Sequence, residues 1–250
     1  MHRFYLPSAN CRDALLRLDG REAHHALHVL RLQRGEHVTV LDGAGMEYYC
    51  DVESASKNSL VLAVKEKKHT PAPACALTLL VAVPKGKLIE SIIQKAVELG
   101  AHRIVPLLTE HVVTQLDDDG AEAKREKWQT VAIEAMKQCG TPWLPKVEPP
   151  QGINEHLARG EENDLSLVGS LQTERRHPRE WIRDFQKQHG RLPRRAAVWI
   201  GPEGDFTLAE LKAIEAAGAK PITLGRLTLR VETATIYSLS FLNYELQLQL

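Results

Sequence analysis

A short apolar run at residues 196–200 breaks at Gly201-Pro202-Glu203-Gly204, and a helix start follows at once. Thr207 opens that helix, with Glu210 three residues on as its capping-box partner. A strand that ends in a glycine turn and feeds directly into a capped helix exposes backbone groups at the carboxyl end of a sheet. Open α/β sheets bind cofactors there. A second irregular stretch comes soon after, Leu224-Gly225-Arg226-Leu227-Thr228-Leu229-Arg230-Val231-Glu232-Thr233-Ala234. Two such breaks in one short region are expected to form two walls of one site.

The surrounding pattern agrees with an α/β fold. Residues 77–83, 104–108, 165–168, 197–200 and 221–224 read as strands. Residues 88–99, 121–138, 178–188, 208–217 and 231 to about 249 read as helices, several of them stopped by glycine. Strands alternating with helices imply right-handed crossovers and a mainly parallel sheet. Residues 1 to about 68 differ. Strand patterns at 36–42, 46–52 and 60–65 surround a turn at Asp42-Gly43-Ala44-Gly45, and one helix is expected at 21–30. The two prolines in His69-Thr70-Pro71-Ala72-Pro73-Ala74 read as a linker. The expected domains are therefore 1–70, mostly β, and 75–250, α/β.

Of the 250 residues, 43% are apolar, enough for a sizeable core. Lys plus Arg equals Asp plus Glu at 32 each, so only the local distribution of charge can point to nucleic acid. Cys11, Cys50, Cys75 and Cys139 form no Cys-x-x-Cys pair and read as reduced thiols. The first residues carry no signal-like apolar run, and the longest apolar stretch, 74–83, is too short to span a bilayer. The expectation is a cytoplasmic protein with no membrane partner.

Several familiar sites are absent from the sequence. There is no G-x-G-x-x-G after a strand, no phosphate-loop motif and no G-x-S-x-G elbow. His24, His25 and His28 have helical spacing, but they read as incidental polar residues rather than metal ligands, and no metal is expected. Basic residues concentrate between Arg175 and Arg195, which suits either a solvated helix or a phosphate-tracking patch. Asp117-Asp118-Asp119 reads as a solvated loop. Ile236, Leu239, Leu242 and Leu246 form an apolar stripe for the core or a subunit interface.

As a set, these segments resemble the RsmE-type ribosomal RNA methyltransferases of the SPOUT superfamily. Gly201-Pro202-Glu203-Gly204-Asp205-Phe206-Thr207 with Glu210 matches one family motif. Leu224-Gly225 through Leu229-Arg230-Val231-Glu232-Thr233-Ala234 matches another. Ile133-Glu134-Ala135 with Gln138-Cys139-Gly140, His28-Val29-Leu30-Arg31-Leu32 with Gly35, and Lys85-Gly86-Lys87 with Gln94-Lys95 and Glu98-Leu99-Gly100 extend the likeness across nearly the whole chain. The chain departs from the family pattern in three places. Asp205 stands where a second glycine is common, Thr141 where an arginine is common and Val231 where a threonine is common.

The resemblance implies a small PUA-like β-barrel that contacts RNA, then a SPOUT-type parallel sheet with a C-terminal trefoil knot. It implies an obligate homodimer that transfers a methyl group from S-adenosylmethionine to N3 of one uridine of 16S ribosomal RNA in the small ribosomal subunit, position 1498 in the usual numbering. Other readings are a SPOUT enzyme acting on another RNA and a non-catalytic ribosome-assembly factor. The expected cofactor site comprises Ile200, Gly201, Pro202, Glu203, Gly204, Leu224, Gly225, Leu227, Leu229, Arg230, Thr233 and Ala234. Glycines there let the main chain approach a neutral adenine closely. Arg230 is the expected catalytic side chain, placed to stabilise negative charge on a uracil carbonyl. Arg3, Arg31, Arg34, Arg175, Arg176 and Arg179 are the expected RNA contacts.

Overall fold

The computed structural model describes residues 2–86, 88–110, 118–171 and 174–247. Lys87, Asp117 and Gln249, which enter the readings above, lie outside them. The chain divides into two compact units. Residues up to Ala72 group with Ile133–Leu144, and Pro73–Ala132 groups with the residues from Pro145 on.

The first unit holds a five-stranded sheet. Its strands are β1 (His2–Tyr5), β2 (Leu15–Leu18), β3 (His37–Leu41), β4 (Met46–Ala55) and β5 (Leu60–His69), in the order β1-β3-β4-β5-β2. β1 runs parallel to β3 and the remaining pairs are antiparallel. The β3–β4 hairpin forms because Asp42 closes its own turn: one carboxylate oxygen accepts the N–H groups of Ala44 at 2.7 Å and Met46 at 2.9 Å. Phe4, Leu16, Leu18, Val38, Val40, Leu60 and Leu62 are fully buried beneath the sheet. The helix expected over 21–30 is α1 (Gly20–His24), which widens into a single π turn at His25–Val29. β1 and β2 were not anticipated, because four-residue strands carry too little alternation to read.

The second unit is α/β. Its strands are β6 (Ala76–Ala82), β7 (Ala101–Leu108), β8 (Lys146–Val147), β9 (Gln151–Gly152), β10 (Leu165–Gly169), β11 (Arg195–Ile200) and β12 (Lys220–Ile222). The sheet order is β12-β10-β11-β6-β7-β8, with β9 also on β7, and every pair is parallel. β6 and β11 are buried on both faces, which is why their sequences are continuous apolar runs rather than alternating ones. The helices are α2 (Leu88–Glu98), α3 (Asp118–Cys139), α4 (Ile153–Ala158), α5 (Pro178–His189), α6 (Leu208–Ala216) and α7 (Val231–Leu246).

Helix ends follow local chemistry. Thr207 accepts the N–H of Glu210 at 3.2 Å while Glu210 accepts the N–H of Thr207 at 2.8 Å, the anticipated reciprocal cap. At α5, His177 Nδ1 accepts the N–H of Arg179 and the Glu180 carboxylate accepts the N–H of His177, both at 3.3 Å, with Pro178 in the first turn and left-handed Gly190 at the end. The structure overturns one reading and adds to others. Asp118 and Asp119 belong to α3 and not to a loop. β8, β9 and α4 are additional short elements in a stretch that shows no periodic signal. On α7, Leu239, Leu242 and Leu246 are buried and Ile236 is exposed, so the stripe expected for the core or a subunit interface is divided between core and surface. Cys11, Cys50, Cys75 and Cys139 are free thiols. Among the described residues no helix is long and apolar enough to cross a membrane.

Candidate cofactor cleft

Adjacent strands β12, β10 and β11 are parallel, so the loops that follow them leave the same edge of the sheet. These loops meet around a cleft that encloses about 600 Å³, its open mouth included. Gly169, Ser170 and Leu171 come from the loop after β10. Ile200, Gly201, Pro202, Glu203 and Asp205 come from the end of β11 and its loop. Ile222, Leu224, Gly225, Leu227, Thr228 and Leu229 come from β12 and its loop. Val231 and Ala234 of α7, together with Arg175, complete the lining.

The loop after β11 is a tight, internally bonded turn. Pro202 O accepts the N–H of Asp205 at 2.9 Å, and Asp205 sits in the left-handed region at φ 64°. Glycine is at ease there, and aspartate is among the few other residues that tolerate it. The Asp205 carboxylate then accepts two backbone N–H groups, from Phe206 at 2.8 Å and from Leu171 at 2.9 Å. The second bond ties the loop after β10 to the loop after β11. Phe206 is fully buried and anchors the turn from below. At Gly201 an added Cβ would lie 3.1 Å from Phe206 N and 3.3 Å from the Asp205 carboxylate, so the turn folds back tightly on this glycine.

The loop after β12 turns at Gly225, whose φ is 113°. Thr223 Oγ1 accepts the N–H of Gly225 and donates to its carbonyl, both at 3.2 Å. α7 begins directly after this loop. Arg230 is its N-cap residue, and Thr235 Oγ1 donates back to Val231 O at 2.8 Å.

The structure thus brings together Ile200, Gly201, Pro202, Glu203, Leu224, Gly225, Leu227, Leu229 and Ala234 around one cleft. Gly204, Arg230 and Thr233 lie next to lining residues in sequence but do not line the cleft, and all three are exposed. The sequence reading missed the 169–171 segment. Its one local signal is a glycine at a strand end; only the strand order places it beside the other two loops. Arg175, one of the expected RNA contacts, lines the cleft and donates to Ser170 O at 3.0 Å.

The other arginines expected to meet RNA are placed as follows. In the first unit, Arg3 donates to the carbonyls of Lys137 at 3.2 Å and Gln138 at 3.1 Å, the last turn of α3, where a cation complements the helix dipole. Arg31 is exposed with φ 55°, and Arg34 pairs with Glu53 at 3.3 Å. In the second unit, Arg176 pairs with Glu180 at 3.1 Å and Asp184 at 2.8 Å and stacks on Trp181, while Arg179 pairs with Glu245. Among the described residues no group of three or more His, Cys, Asp or Glu could hold a metal ion.

The cleft suits a ligand with an apolar flat part and a charged tail. Ile200, Leu224 and Leu229 supply apolar surface, the glycine bends expose main-chain donors and acceptors, and Arg175 and Glu203 supply opposite charges. S-adenosylmethionine fits this donor set.

Comparison with known proteins places the chain. Residues 70–243 match the family model described as an RNA methyltransferase domain, and residues 18–65 match an RNA methyltransferase PUA domain. The chain is 31% identical over 237 residues to the ribosomal RNA small subunit methyltransferase E of Bacillus subtilis, covering 92% of this chain and 90% of that protein. It is 32% identical over 236 residues to the Synechocystis protein of the same name, covering 92% of this chain and 73% of that one. Among solved structures, a putative methyltransferase from Legionella pneumophila in complex with S-adenosylmethionine superposes with a TM-score of 0.85, at 28% identity and 97% coverage of both chains. The Neisseria gonorrhoeae ribosomal RNA small subunit methyltransferase E, also bound to S-adenosylmethionine, superposes with a TM-score of 0.82 at 26% identity and 98% coverage of both. With matched domains running from residue 18 to residue 243 and relatives aligned over nearly its full length, this chain belongs to the RNA methyltransferase family of the ribosomal RNA small subunit methyltransferase E proteins.

Proposed function

We propose that the protein transfers a methyl group from S-adenosylmethionine to N3 of a uridine of 16S ribosomal RNA in the small ribosomal subunit. The observation that carries this reading is the convergence of the two glycine bends, at 201–204 and at 225, on one cleft. The named relatives and the two cofactor-bound neighbours support the reaction class. The uridine position follows from the family resemblance, as do the trefoil knot and the homodimer. Ile236, Tyr237 and Tyr244, exposed on α7, are consistent with a subunit interface.

When bound, S-adenosylmethionine supplies a methyl group already activated by its sulfonium. The chain's tasks are to hold a nucleophile in line and to stabilise the charge that appears on it. The main chain at Gly201 and Gly225 would read the adenine edge, with Ile200, Leu224 and Leu229 packing on its faces. Arg230 stands at the N-terminus of α7, where the unpaired N–H groups and its guanidinium both favour negative charge on a uracil carbonyl as N3 loses its proton. No imidazole lines the cleft among the described residues, so the proton passes to solvent or to an RNA phosphate in this reading.

Mass spectrometry of ribosomal RNA from a strain lacking the protein tests the proposal. One N3-methylated uridine is expected to vanish from 16S RNA and to return with the wild-type gene. An unchanged uridine pattern, or loss of a methyl group from another RNA, would overturn it.

A further inference from the structure

We propose that Arg175 anchors the α-carboxylate of S-adenosylmethionine and is a cofactor-specificity residue, not an RNA contact. The inference rests on the reading that this cofactor occupies the cleft.

Arg175 differs from its neighbours in the basic cluster. Arg176, Arg179 and Arg191 each hold a carboxylate, whereas Arg175 has no carboxylate partner among the described residues. It is the one member of that cluster that lines the cleft. One of its nitrogens donates to Ser170 O at 3.0 Å. An arginine carries five N–H donors in a rigid fork, so this tether orients the guanidinium and leaves donors free for a planar anion. Holding the side chain in place beforehand lowers the entropy lost when a ligand binds.

The remaining charges on the cleft indicate which anion. Both oxygens of Asp205 are engaged by backbone N–H groups. Glu203 lines the same cleft, is exposed, and has no cationic partner among the described residues. Arg175 and Glu203 are thus opposite charges on one cleft that do not neutralise each other. That arrangement complements the ammonium and carboxylate of an amino-acid tail. A phosphate arriving from RNA would meet the Glu203 carboxylate on the same cleft, which disfavours it. The carboxylate of the donor's methionine moiety fits without that penalty.

Calorimetry on the full-length protein, with S-adenosylmethionine and its decarboxylated analogue as the two probes, tests the assignment. The ligands differ in the carboxylate alone. Wild type is expected to prefer S-adenosylmethionine by about tenfold or more, the size of a hydrogen bond to a charged group. Arg175→Gln keeps an N–H donor for Ser170 O and removes the charge, so it is expected to bind the two ligands equally and with an unchanged melting temperature. Should that variant not fold, Arg175→Lys serves: a point charge replaces the fork, and the preference is expected to shrink without vanishing. Retention of the full preference in either variant, or equal affinities in wild type, overturns the assignment. So does a variant that loses affinity for an RNA fragment while keeping its ligand preference. Failure of wild type to bind either ligand overturns instead the placement of the cofactor in this cleft.

Discussion

The carboxylate of Asp205 accepts the backbone N–H of Leu171 at 2.9 Å across two different loops of the cofactor cleft. The same residue holds φ 64°, a conformation that glycine adopts without strain. Asp205 therefore combines a backbone role with a side-chain role that glycine lacks.

Two substitutions separate those roles. Asp205→Asn keeps one of the two oxygen acceptors and tolerance for the left-handed region but sets its NH2 against the other N–H donor, and is expected to bind S-adenosylhomocysteine about threefold to fivefold more weakly than wild type. Asp205→Ala loses both acceptors and strains the backbone, at a combined cost of about 2–4 kcal/mol. Its melting temperature should fall and its affinity drop by at least about tenfold, as read by calorimetry. Equal behaviour of the two variants would remove the carboxylate from the argument.

Arg230 is exposed at the start of α7, with no carboxylate partner among the described residues, so its removal should leave the fold intact. Arg230→Ala is expected to reduce single-turnover methylation by about a hundredfold, the scale of one lost charge-stabilising donor. Cofactor affinity should change by less than about threefold. Unaltered turnover would take Arg230 out of the chemistry.

Gly140 ends α3 at φ 82°, and a Cβ there would lie 2.8 Å from the guanidinium of Arg3. Gly140→Ala is expected to destabilise the protein by about 1–2 kcal/mol through strain and displacement of Arg3. Arg3→Ala should cost less, about 0.3–1 kcal/mol, since it removes a cation from a helix terminus without strain. Chemical denaturation of both variants checks the order; the reverse order would show that Arg3 matters chiefly elsewhere.

His156 is 5% exposed, lies edge-on to Trp199 at 5.4 Å between ring centroids, and has an unpartnered, buried Nδ1. Burial holds its pKa below the ordinary histidine value. The unfolded chain therefore takes up this proton first as pH falls. The stability tied to neutral His156 is complete above about pH 6.5 and is lost as pH drops through the folded-state value. Urea midpoints measured at about pH 7.5 and 5.5 should fall more for wild type than for His156→Gln. A parallel decline would assign the acid sensitivity to other groups.

Much of the cleft is legible locally. The glycine bends and the Thr207–Glu210 cap depend on neighbours within a few residues, and so they can be read from the chain alone. The 169–171 wall cannot, because its place beside the other loops arises from the strand order β12-β10-β11, a non-local property. The basic cluster is less legible for a related reason. In sequence Arg175, Arg176 and Arg179 look alike; their partners, Ser170 O, Asp184 and Glu245, separate them only once the chain is folded. The short elements β1, β2, β8 and β9 hold too few residues for periodicity to register, and pairing with a neighbouring strand decides their state.

Helix α3 is claimed by both compact units, since its residues from Ile133 onward group with the amino-terminal sheet. There Lys137 meets Glu22 at 2.8 Å and Trp143 donates to Thr70 O at 3.1 Å. A cut at residue 72 would therefore not excise a module: it would leave a dozen orphaned positions in the remaining piece and a gap in the part removed. Grafting this amino-terminal module onto another methyltransferase would require carrying two separate stretches of chain, so recombination at a single crossover should yield misfolded hybrids.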